Sequence, residues 1–394
     1  MSMPSAVRHI NETRVLQELF REGPLSRAEL SRRLVLTRST AGSLVTHLVE
    51  QGFVEEGTGD TGGDGRTGRP GLLVSLKADA ATFLGAEIGV EKITLLAMDL
   101  RGNVVSTSTT GHGAGNRPED AVDTLRQAID RFRSDREPSH RIEGLCVTVP
   151  GLLRSDGLVL STPILGWADT DLLSILRDRL VDFGDILVEN DANAFATAET
   201  YLATNSGTAL FILLDAGVGG GLISDGRLVR GHHGYAGEIG HIPIGEQGYT
   251  AGLAVPGSFE SYVGKGALLN RIVYYGGEAA DIQTLAAKFQ AGDIAARATV
   301  GDWSRWLGRG LAILVATLDP ERIVLGGECA VVAELCLEDI EAQLRALLLR
   351  RRPVPPVEIS RLGRDVAALG AACQLHRNFF SIDSSFVFGA CSAA

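Results

Sequence analysis

Two short polar motifs have the chemistry to bind a ligand rich in hydroxyl groups. Asn190 and Asp191 are adjacent in V-E-N-D-A-N-A, while Glu238 and His241 lie three residues apart in A-G-E-I-G-H. An amide can donate and accept a hydrogen bond at once, and a carboxylate accepts a strong, charge-assisted one. Glu260, in P-G-S-F-E-S-Y, adds a further carboxylate. These side chains predict donors and acceptors for one polyhydroxylated ligand.

Each motif also has a structural interpretation, which stays open at this point. Asn190 or Asp191 could cap a helix that begins there. A lone Glu-x-x-His pair is most often a surface helix pair or a core histidine with satisfied hydrogen bonds. Glycine-rich flanks favour a binding site here, with D-A-G-V-G-G-G-L-I at 215–223 and G-H-H-G-Y-A-G-E-I-G-H-I-P-I-G at 231–245.

The elements that would position these side chains occur twice along the chain. From residue 81, three short strands and a helix over about 118–132 precede the apolar strand I-E-G-L-C-V-T-V. From residue 208, three strands recur, then helices that include one over about 293–318, then E-R-I-V-L-G-G. Three antiparallel strands, a helix and a further strand open a ribonuclease-H-like lobe. The repeat therefore predicts an α/β fold of two lobes with a ligand cleft between them.

The amino-terminal residues show three helix patterns and then a hairpin pattern. Apolar residues at helical spacing predict a helix over 11–22. Ser26 and Glu29 form a capping-box pattern for a second helix, and Thr37 or Ser39 begins a third that ends near residue 51. F-V-E-E and L-L-V-S-L then alternate like paired strands. This order predicts a winged helix-turn-helix.

Polar side chains on the third helix and at the hairpin tip suit contacts with DNA. Short hydroxyl side chains and an arginine fit phosphates and base edges in a major groove, and a loop arginine can enter a narrow minor groove. The predicted contacts are Thr37, Arg38, Ser39, Thr40 and Ser43 on the helix and Arg66 and Arg69 in the loop. The alternatives are a small helical bundle without a partner and a solvated, disordered loop.

Charge is distributed unevenly between these parts. The 394 residues carry a formal net charge of −11, which by itself argues against binding to nucleic acid. Residues 1–49, however, hold seven arginines against four glutamates, so the remainder is more acidic still. A basic amino-terminal segment followed by an acidic remainder is typical of a small DNA-binding domain joined to a larger domain. We therefore predict a DNA-binding domain at 1–78 and a two-lobed domain at 79–394.

Simple sequence features argue against several other classes of protein. No apolar run reaches the roughly 18–20 residues of a membrane span, and the first residues lack the pattern of a secretory signal. The cysteines have no paired spacing for disulfides or for a metal knuckle. They are Cys146, Cys329, Cys336, Cys373 and Cys391. We expect a cytoplasmic protein with free thiols, no cofactor and no membrane partner.

Taken over its whole length, the chain resembles the transcriptional regulators of the ROK family (repressor, open reading frame, kinase). The resemblance extends from Asn11 to about Phe380, and the stretches at 215–223 and 231–245 carry it most specifically. It implies a winged helix-turn-helix followed by a two-lobed, actin-like sugar-kinase fold. It also implies that a sugar contacts Asn190, Asp191, Glu238, His241 and Glu260. In the family's kinases, the residue at the position of Asp191 takes the proton of the attacking hydroxyl.

The phosphate loop departs from the kinase pattern of this family. Where the kinases have D-x-G-G-T-K, this chain has E-I-G-V-E-K at 87–92. Val90 adds bulk where a backbone must approach phosphate. Glu91 brings an anion to the same place, and like-charge contact is costly in a desolvated site. We therefore predict no phosphoryl transfer and regard Asp191 as a vestigial base.

Two further family positions also differ. The cysteines of the family's zinc knuckle, C-x-C-G-x-x-G-C-x-E, fall on Ala251, Leu253 and Ser258. Zinc takes about four ligands, so the sequence predicts no metal and a loop held by packing instead. The packing residues would be Leu253, Val255, Pro256 and Phe259. Ile164 replaces a family asparagine, which leaves the identity of the sugar open.

These features support one main hypothesis and two alternatives. The main hypothesis is a sugar-responsive regulator, with repression favoured, that binds operator DNA as a homodimer or homotetramer. Its kinase-like domain would bind a sugar effector without phosphorylating it. The alternatives are a ROK-type sugar kinase that uses ATP, and an interaction protein that another protein sequesters.

Overall fold

The structure is a computed structural model that describes residues 3–58, 72–112, 117–137, 140–154, 156–201, 207–249 and 254–381. Its described residues form an amino-terminal head and two α/β lobes. Among them, no helix is long and apolar enough to cross a membrane.

The head is a winged helix-turn-helix, as predicted. Its three strands form one sheet, in which the last strand in chain order lies in the middle. The Ser26 hydroxyl accepts from the Glu29 amide while Glu29 bonds back to Ser26, so the capping box is confirmed. Thr37 caps the third helix through its hydroxyl. The elements are α1 (Met3–Glu22), β1 (Leu25–Ser26), α2 (Arg27–Arg33), α3 (Arg38–Glu50), β2 (Val54–Thr58) and β3 (Leu72–Leu76).

The first helix is longer than the sequence predicted. It begins at Met3 rather than at residue 11. The apolar spacing that marks its buried face starts only at Val15, and Val7 is largely exposed. A helix turn without a buried stripe leaves no periodic signal in the sequence, so the prediction began too late.

The first lobe continues from the head through the 3-10 helix Ala78–Ala80. The predicted domain boundary at residues 78 and 79 falls within this short helix and stays a prediction. The elements of this lobe are β4 (Thr82–Ile88), β5 (Lys92–Asp99), β6 (Val104–Gly111), α4 (Pro118–Ser134), β7 (Ile142–Val149), β8 (Leu152–Leu153), β9 (Leu158–Thr162), β10 (Trp167–Asp171), α5 (Leu172–Arg179), β11 (Asp185–Asn190) and α6 (Asp191–Tyr201).

The second lobe follows, and its last helix returns to the first lobe. This helix, α13 (Val366–Phe379), packs against α6 and β4. A second 3-10 helix covers Ile239–His241. The elements are β12 (Ala209–Leu214), β13 (Val218–Ser224), β14 (Arg227–Leu228), α7 (Phe259–Val263), α8 (Lys265–Tyr274), α9 (Ile282–Gln290), α10 (Ile294–Leu318), β15 (Arg322–Gly326), α11 (Ala330–Leu335), α12 (Leu337–Leu347), β16 (Val357–Ile359) and α13 (Val366–Phe379).

The two lobes repeat one sheet topology, which confirms the predicted duplication. The strand order is β11-β7-β4-β5-β6 in the first lobe and β14-β13-β12-β15-β16 in the second. In each sheet, the first three strands of the lobe are antiparallel and the last two join parallel to them. Strands β8, β9 and β10 form a small separate sheet.

Helices α6 and α13 approach each other at backbone distance. A Cβ atom on Gly370 of α13 would lie 1.8 Å from the carbonyl oxygen of Ala194 in α6. On the other side of α13, a Cβ atom on Gly85 of β4 would lie 2.0 Å from the carbonyl oxygen of Ala368. Glycine at both positions therefore lets three backbones pack closely, which fixes α6 against the first sheet.

An aromatic cluster joins the head to this helix pair. We call Phe20, Tyr201, His376, Phe379 and Phe380 the head-contact cluster. The Phe20 ring of α1 lies 5.0 Å from the His376 ring and 5.1 Å from that of Phe380. The Nε2 atom of His376 donates to the Leu100 carbonyl at 3.0 Å, so Nδ1 accepts from the Tyr201 hydroxyl. Burial lowers the pKa of His376 to about 4, which keeps this ring neutral.

We predict that Gly370→Ala destabilises the protein because the added methyl group has no room against α6. Overpacking of this kind costs about 1–3 kcal/mol. The matched control is Gly301→Ala in α10, where a Cβ atom would meet no atom within 4 Å. That change should stabilise the protein by about 0.5–1 kcal/mol. Denaturant unfolding measures both, and equal stability of the two variants would contradict the close packing.

Candidate functional site

A cavity of about 910 Å³ lies between the two lobes. All five side chains that the sequence predicted for the sugar line this cavity. They come from four places in the fold, namely the end of β11, the start of α6, the 3-10 segment after β14, and α7. The residues are Asn190, Asp191, Glu238, His241 and Glu260.

Asn190 and Asp191 also have structural roles at the start of α6. The Asn190 Oδ1 atom accepts from the Asn193 amide at 3.0 Å, and its Nδ2 atom donates to the Gly151 carbonyl at 3.1 Å. Asp191 Oδ1 accepts from the Ala192 amide at 2.8 Å. The capping interpretation therefore holds for Asn190, yet its amide keeps one hydrogen and one lone pair for a ligand.

Four carboxyl groups face this part of the cleft and hold protons unusually tightly. Burial, together with the charges of Asp191 and Asp215, raises the pKa of Glu87 to about 8. Burial also raises the pKa of Asp191 to about 7, against the hydrogen bond from the Ala192 amide. The pKa values of Asp215 and Glu238 are raised as well, chiefly by burial. A carboxyl that keeps its proton at neutral pH can donate to a ligand as well as accept.

Glu260 and the Glu238–His241 pair close the second-lobe side of the site. The Glu260 Oε2 atom accepts from the Val218 amide at 2.9 Å, which fixes the carboxylate against β13. His241 Nε2 lies 3.6 Å from Glu238 Oε2, and the histidine side chain is 56% exposed. This exposure leaves His241 accessible from the cleft rather than buried as a core histidine.

The opposite end of the cavity holds the altered loop and a lysine. Val90 and Glu91, at the turn between β4 and β5, line the cavity, and Glu91 is exposed. The Lys265 ammonium donates to Glu328 Oε2 at 2.7 Å, and the Glu328 amide donates to Asp215 Oδ1 at 2.9 Å. The Lys265 ammonium at this end of the cavity is therefore already paired with a carboxylate.

An ion pair that the sequence reasoning missed crosses the cleft. Glu189, the residue before Asn190, is buried and pairs with Arg230, which follows β14 of the other lobe. Glu189 Oε1 also accepts from the Asn190 amide at 2.9 Å and from Asn193 Nδ2 at 3.1 Å. The sequence feature that could have indicated this pair is the charged Glu189 near the end of the strand in V-E-N-D, where an apolar residue is usual.

The segment that replaces the zinc knuckle is held differently from the prediction. Val255 and Pro256 are exposed, so the prediction that they pack the loop is wrong, whereas Phe259 is buried against Gly310. Backbone bonds fix the loop instead, because the Ile244 and Gly245 amides both donate to the Gly257 carbonyl. The Ser258 hydroxyl caps α7. Residues 251 and 253 lie outside the described residues.

Ser258 does not fit a zinc site. Its hydroxyl is buried and accepts from the Ser261 amide at 3.3 Å. A capping hydroxyl does not supply the thiolate that a structural zinc site takes from this position. In the part of the chain that the structure describes, no cluster of His, Cys, Asp or Glu could hold a metal ion, and the absence of zinc stays a prediction.

On the head, most of the predicted DNA contacts share one exposed face of α3. Arg38, Ser39 and Ser43 are exposed, as is the capping residue Thr37, while Thr40 is half-buried beside it. The opposite face of the helix is apolar and buried against the head. Its residues are Ala41, Leu44, Val45 and Leu48. Arg66 and Arg69 lie outside the described residues.

A further arginine of the head, Arg27, has a positioning role that the sequence did not reveal. It donates to the Gly42 carbonyl at 3.1 Å and pairs with Glu56 of β2. It therefore fixes α3 against the hairpin instead of extending toward a partner.

The chain joins a winged helix-turn-helix to two ribonuclease-H-like lobes with a polar cleft between them. This is the architecture of a transcriptional regulator whose effector domain has a sugar-kinase fold. The model of the ROK family matches residues 83–378, and the chain belongs to this family. The model of the MarR family matches residues 9–67, which is most of the head.

Comparisons with individual proteins separate full-length relatives from shorter ones. The chain is 29% identical to the xylose repressor of Bacillus spizizenii over 396 residues, covering 95% of this chain and 97% of the repressor. A ROK family transcriptional regulator described as a homologue of the E. coli MLC protein has the same fold, with a TM-score of 0.77, 24% identity and coverage of 95% and 97%. A ROK family glucokinase from Streptomyces griseus, in complex with glucose and AMPPNP, has a TM-score of 0.66 and 27% identity; it covers 75% of this chain and 99% of its own.

The raised carboxyl pKa values predict a specific pH dependence of stability. A carboxyl whose pKa is higher in the folded protein than in the unfolded chain stabilises the fold at low pH and loses this contribution as pH rises through the folded value. The thermal midpoint of the ligand-free protein should therefore fall between pH 6 and pH 8. Glu87→Gln, which removes the group with a pKa of about 8, should flatten this dependence.

The control is Glu91→Gln, which alters an exposed carboxylate on the same turn. It should follow the wild-type pH dependence. If Glu87→Gln also follows the wild type, the protonated Glu87 carboxyl is not a feature of the folded protein.

Proposed function

We propose that this protein is a sugar-responsive, DNA-binding repressor. Residues 1–78 would bind operator DNA, and residues 79–394 would bind a sugar effector in the cleft. The observation that carries the proposal is the arrangement of five polar side chains, from both lobes, around one cavity. The full-length similarity to the xylose repressor and to the MLC homologue supports it, since the glucokinase leaves the head unmatched. Such a regulator would act in the cytoplasm, where its operator lies.

The proposed sugar contacts come from both lobes. Asn190 would use its remaining hydrogen and lone pair, and Asp191 would accept from an adjacent hydroxyl. Glu238, His241 and Glu260 would contact the sugar from the other lobe. Because these groups stand on opposite sides of the cleft, a bound sugar favours one separation of the lobes over others.

We also propose that the cleft does not transfer phosphate. Val90 and Glu91 stand at the turn where a kinase loop would meet nucleotide phosphates, and Lys265 is engaged by Glu328. One observation favours the kinase alternative. The pKa of Asp191 lies near 7, which suits a general base at neutral pH. An assay must therefore decide between the two.

We predict sugar binding without sugar-dependent release of ADP. A thermal-shift screen would begin with D-xylose, because the full-length relative is called a xylose repressor. Asp191→Ala should weaken binding by about ten- to hundred-fold, since it removes one charge-assisted partner. The control is Asp178→Ala, which removes an exposed aspartate from α5. With ATP and Mg²⁺, sugar-dependent ADP release near 1–100 s⁻¹ that Asp191→Ala abolishes would establish the kinase instead.

For the head, we predict that Arg38→Ala weakens operator binding. Arg38 begins α3, and the first residues of a recognition helix contact base edges or phosphates in the major groove. The matched control is Arg33→Ala, because Arg33 on α2 is already paired with Glu18 and Glu22 of α1. A duplex selected from a random library serves as operator. Loss of a base contact costs about 1–3 kcal/mol, and loss of a phosphate contact lowers the salt slope by about one unit.

Equal affinities of wild type and Arg38→Ala at matched salt would contradict this assignment of α3. The sequences selected from the random library also indicate the oligomeric state in which the protein binds DNA. A homodimer, or a homotetramer acting as a dimer of dimers, should select two half-sites whose centres are about 10–10.5 base pairs, or a multiple of that, apart.

A further inference from the structure

A short segment of the second lobe connects two of the proposed sugar contacts. We call residues 242–262 the bridging segment, of which the structure describes 242–249 and 254–262. It begins after His241, contains Glu260 and ends within α7. Helix α7 has five residues, which is too short to be stable without outside support. Something in the surrounding structure must therefore fix its orientation.

The buried side chain of Arg271, on α8, is placed to do this. It is fully buried, and its Nη2 atom donates to the Tyr262 carbonyl at 2.9 Å. Its guanidinium carbon lies 4.0 Å from the centre of the Tyr249 ring. Its Nε atom lies 3.1 Å from Asp302 Oδ2, an ion pair without ideal hydrogen-bond alignment. One cation thus contacts the bridging segment at two separate points.

Asp302 of α10 completes the network. Its Oδ2 atom accepts from the Tyr249 hydroxyl at 2.9 Å, and its Oδ1 atom accepts from Arg305 at 2.6 Å. An unpaired buried arginine would be strongly destabilising, so the carboxylate and the ring are what allow Arg271 to remain in the core. Loss of one member leaves the others without their partner.

The network reaches the sugar site through the backbone. The Tyr249 amide donates to the Ser261 carbonyl at 2.8 Å, so the backbone at Tyr249 is bonded to α7. On the same helix, Glu260 accepts from the Val218 amide and faces the cavity. Arg271 itself does not line the cavity. An effect of Arg271 on a sugar is therefore indirect, and its bond to the Tyr262 carbonyl gives it a direct hold on α7, the helix that carries Glu260.

We propose that Arg271, with Asp302 and Tyr249, is the positioning centre that holds Glu260 in its sugar-binding orientation. This inference rests on the proposed function. Ser258, which caps α7 with its hydroxyl, then contributes to the same support without any metal.

A double-mutant cycle on the full-length protein tests the proposal. Arg271→Lys keeps the charge and loses the planar fork, and should weaken sugar binding about tenfold. In a Glu260→Gln background the same change should weaken binding less than twofold, since the contact that it positions has already been altered. In an Asn190→Ala background its effect should stay near tenfold, because Asn190 stands on the other lobe.

The probe is the sugar that gives the largest thermal shift among D-xylose, D-glucose and N-acetyl-D-glucosamine. Tyr249→Phe, which removes only the hydroxyl that bonds to Asp302, serves as a milder second variant if Arg271→Lys does not fold. Its loss of sugar affinity should be smaller than that of Arg271→Lys, and should likewise shrink in the Glu260→Gln background but not in the Asn190→Ala background. Operator affinity without sugar should match that of the wild type for both variants.

Two results would overturn the proposal. One is an equal loss of sugar affinity in the Glu260→Gln and Asn190→Ala backgrounds, which would indicate a general loss of stability. The other is about one zinc per chain whose removal by a chelator reproduces the Arg271→Lys loss. If the wild type binds none of the sugars, the proposed function fails instead, and this outcome is separate from both.

Discussion

The close contact between α6 and α13 is the constraint on which the rest of the structure depends. Gly370 allows the two backbones to touch, and Gly85 lets α13 touch the first sheet in turn. Helix α6 has 11 residues and therefore spans about 15 Å. Asp191 stands at its cleft end and Tyr201 at the end that meets the head. A rigid element thus connects the proposed sugar site with the proposed DNA-binding head.

This arrangement gives the proposed response a physical route. The Glu189–Arg230 pair and the sugar contacts lie across the cleft, so they depend on the separation of the lobes. At the other end of α6, Tyr201 bonds to His376, whose ring packs on Phe20 of the head. A shift of α6 would therefore reach the head through packed rings. A sugar can drive such a shift only by binding two arrangements with different affinity.

The sequence was sufficient for those features that depend on local pattern. Strand and helix order predicted the duplicated lobes, and the Ser26 capping box predicted the start of α2. It was insufficient where distant residues meet. Nothing in the spacing of Tyr249, Arg271 and Asp302 shows that they form one buried network, because it takes the packing of α8, α10 and the loop that carries Tyr249 to bring them together. The loop prediction failed at Val255 and Pro256 for the same reason, since this part of the loop is fixed by backbone bonds to residues more than ten positions earlier in the chain.

The coupling between the cleft and the head is the central claim, and a reciprocal titration tests it most directly. Operator affinity of the full-length protein is measured with and without saturating sugar, and sugar affinity with and without saturating operator, at one salt concentration. Thermodynamic linkage requires sugar to change the operator affinity by the same factor by which operator changes the sugar affinity. We predict that sugar weakens operator binding and that this factor lies within about 5–150. If the protein binds both ligands and neither changes its affinity for the other, the cleft and the head are not coupled.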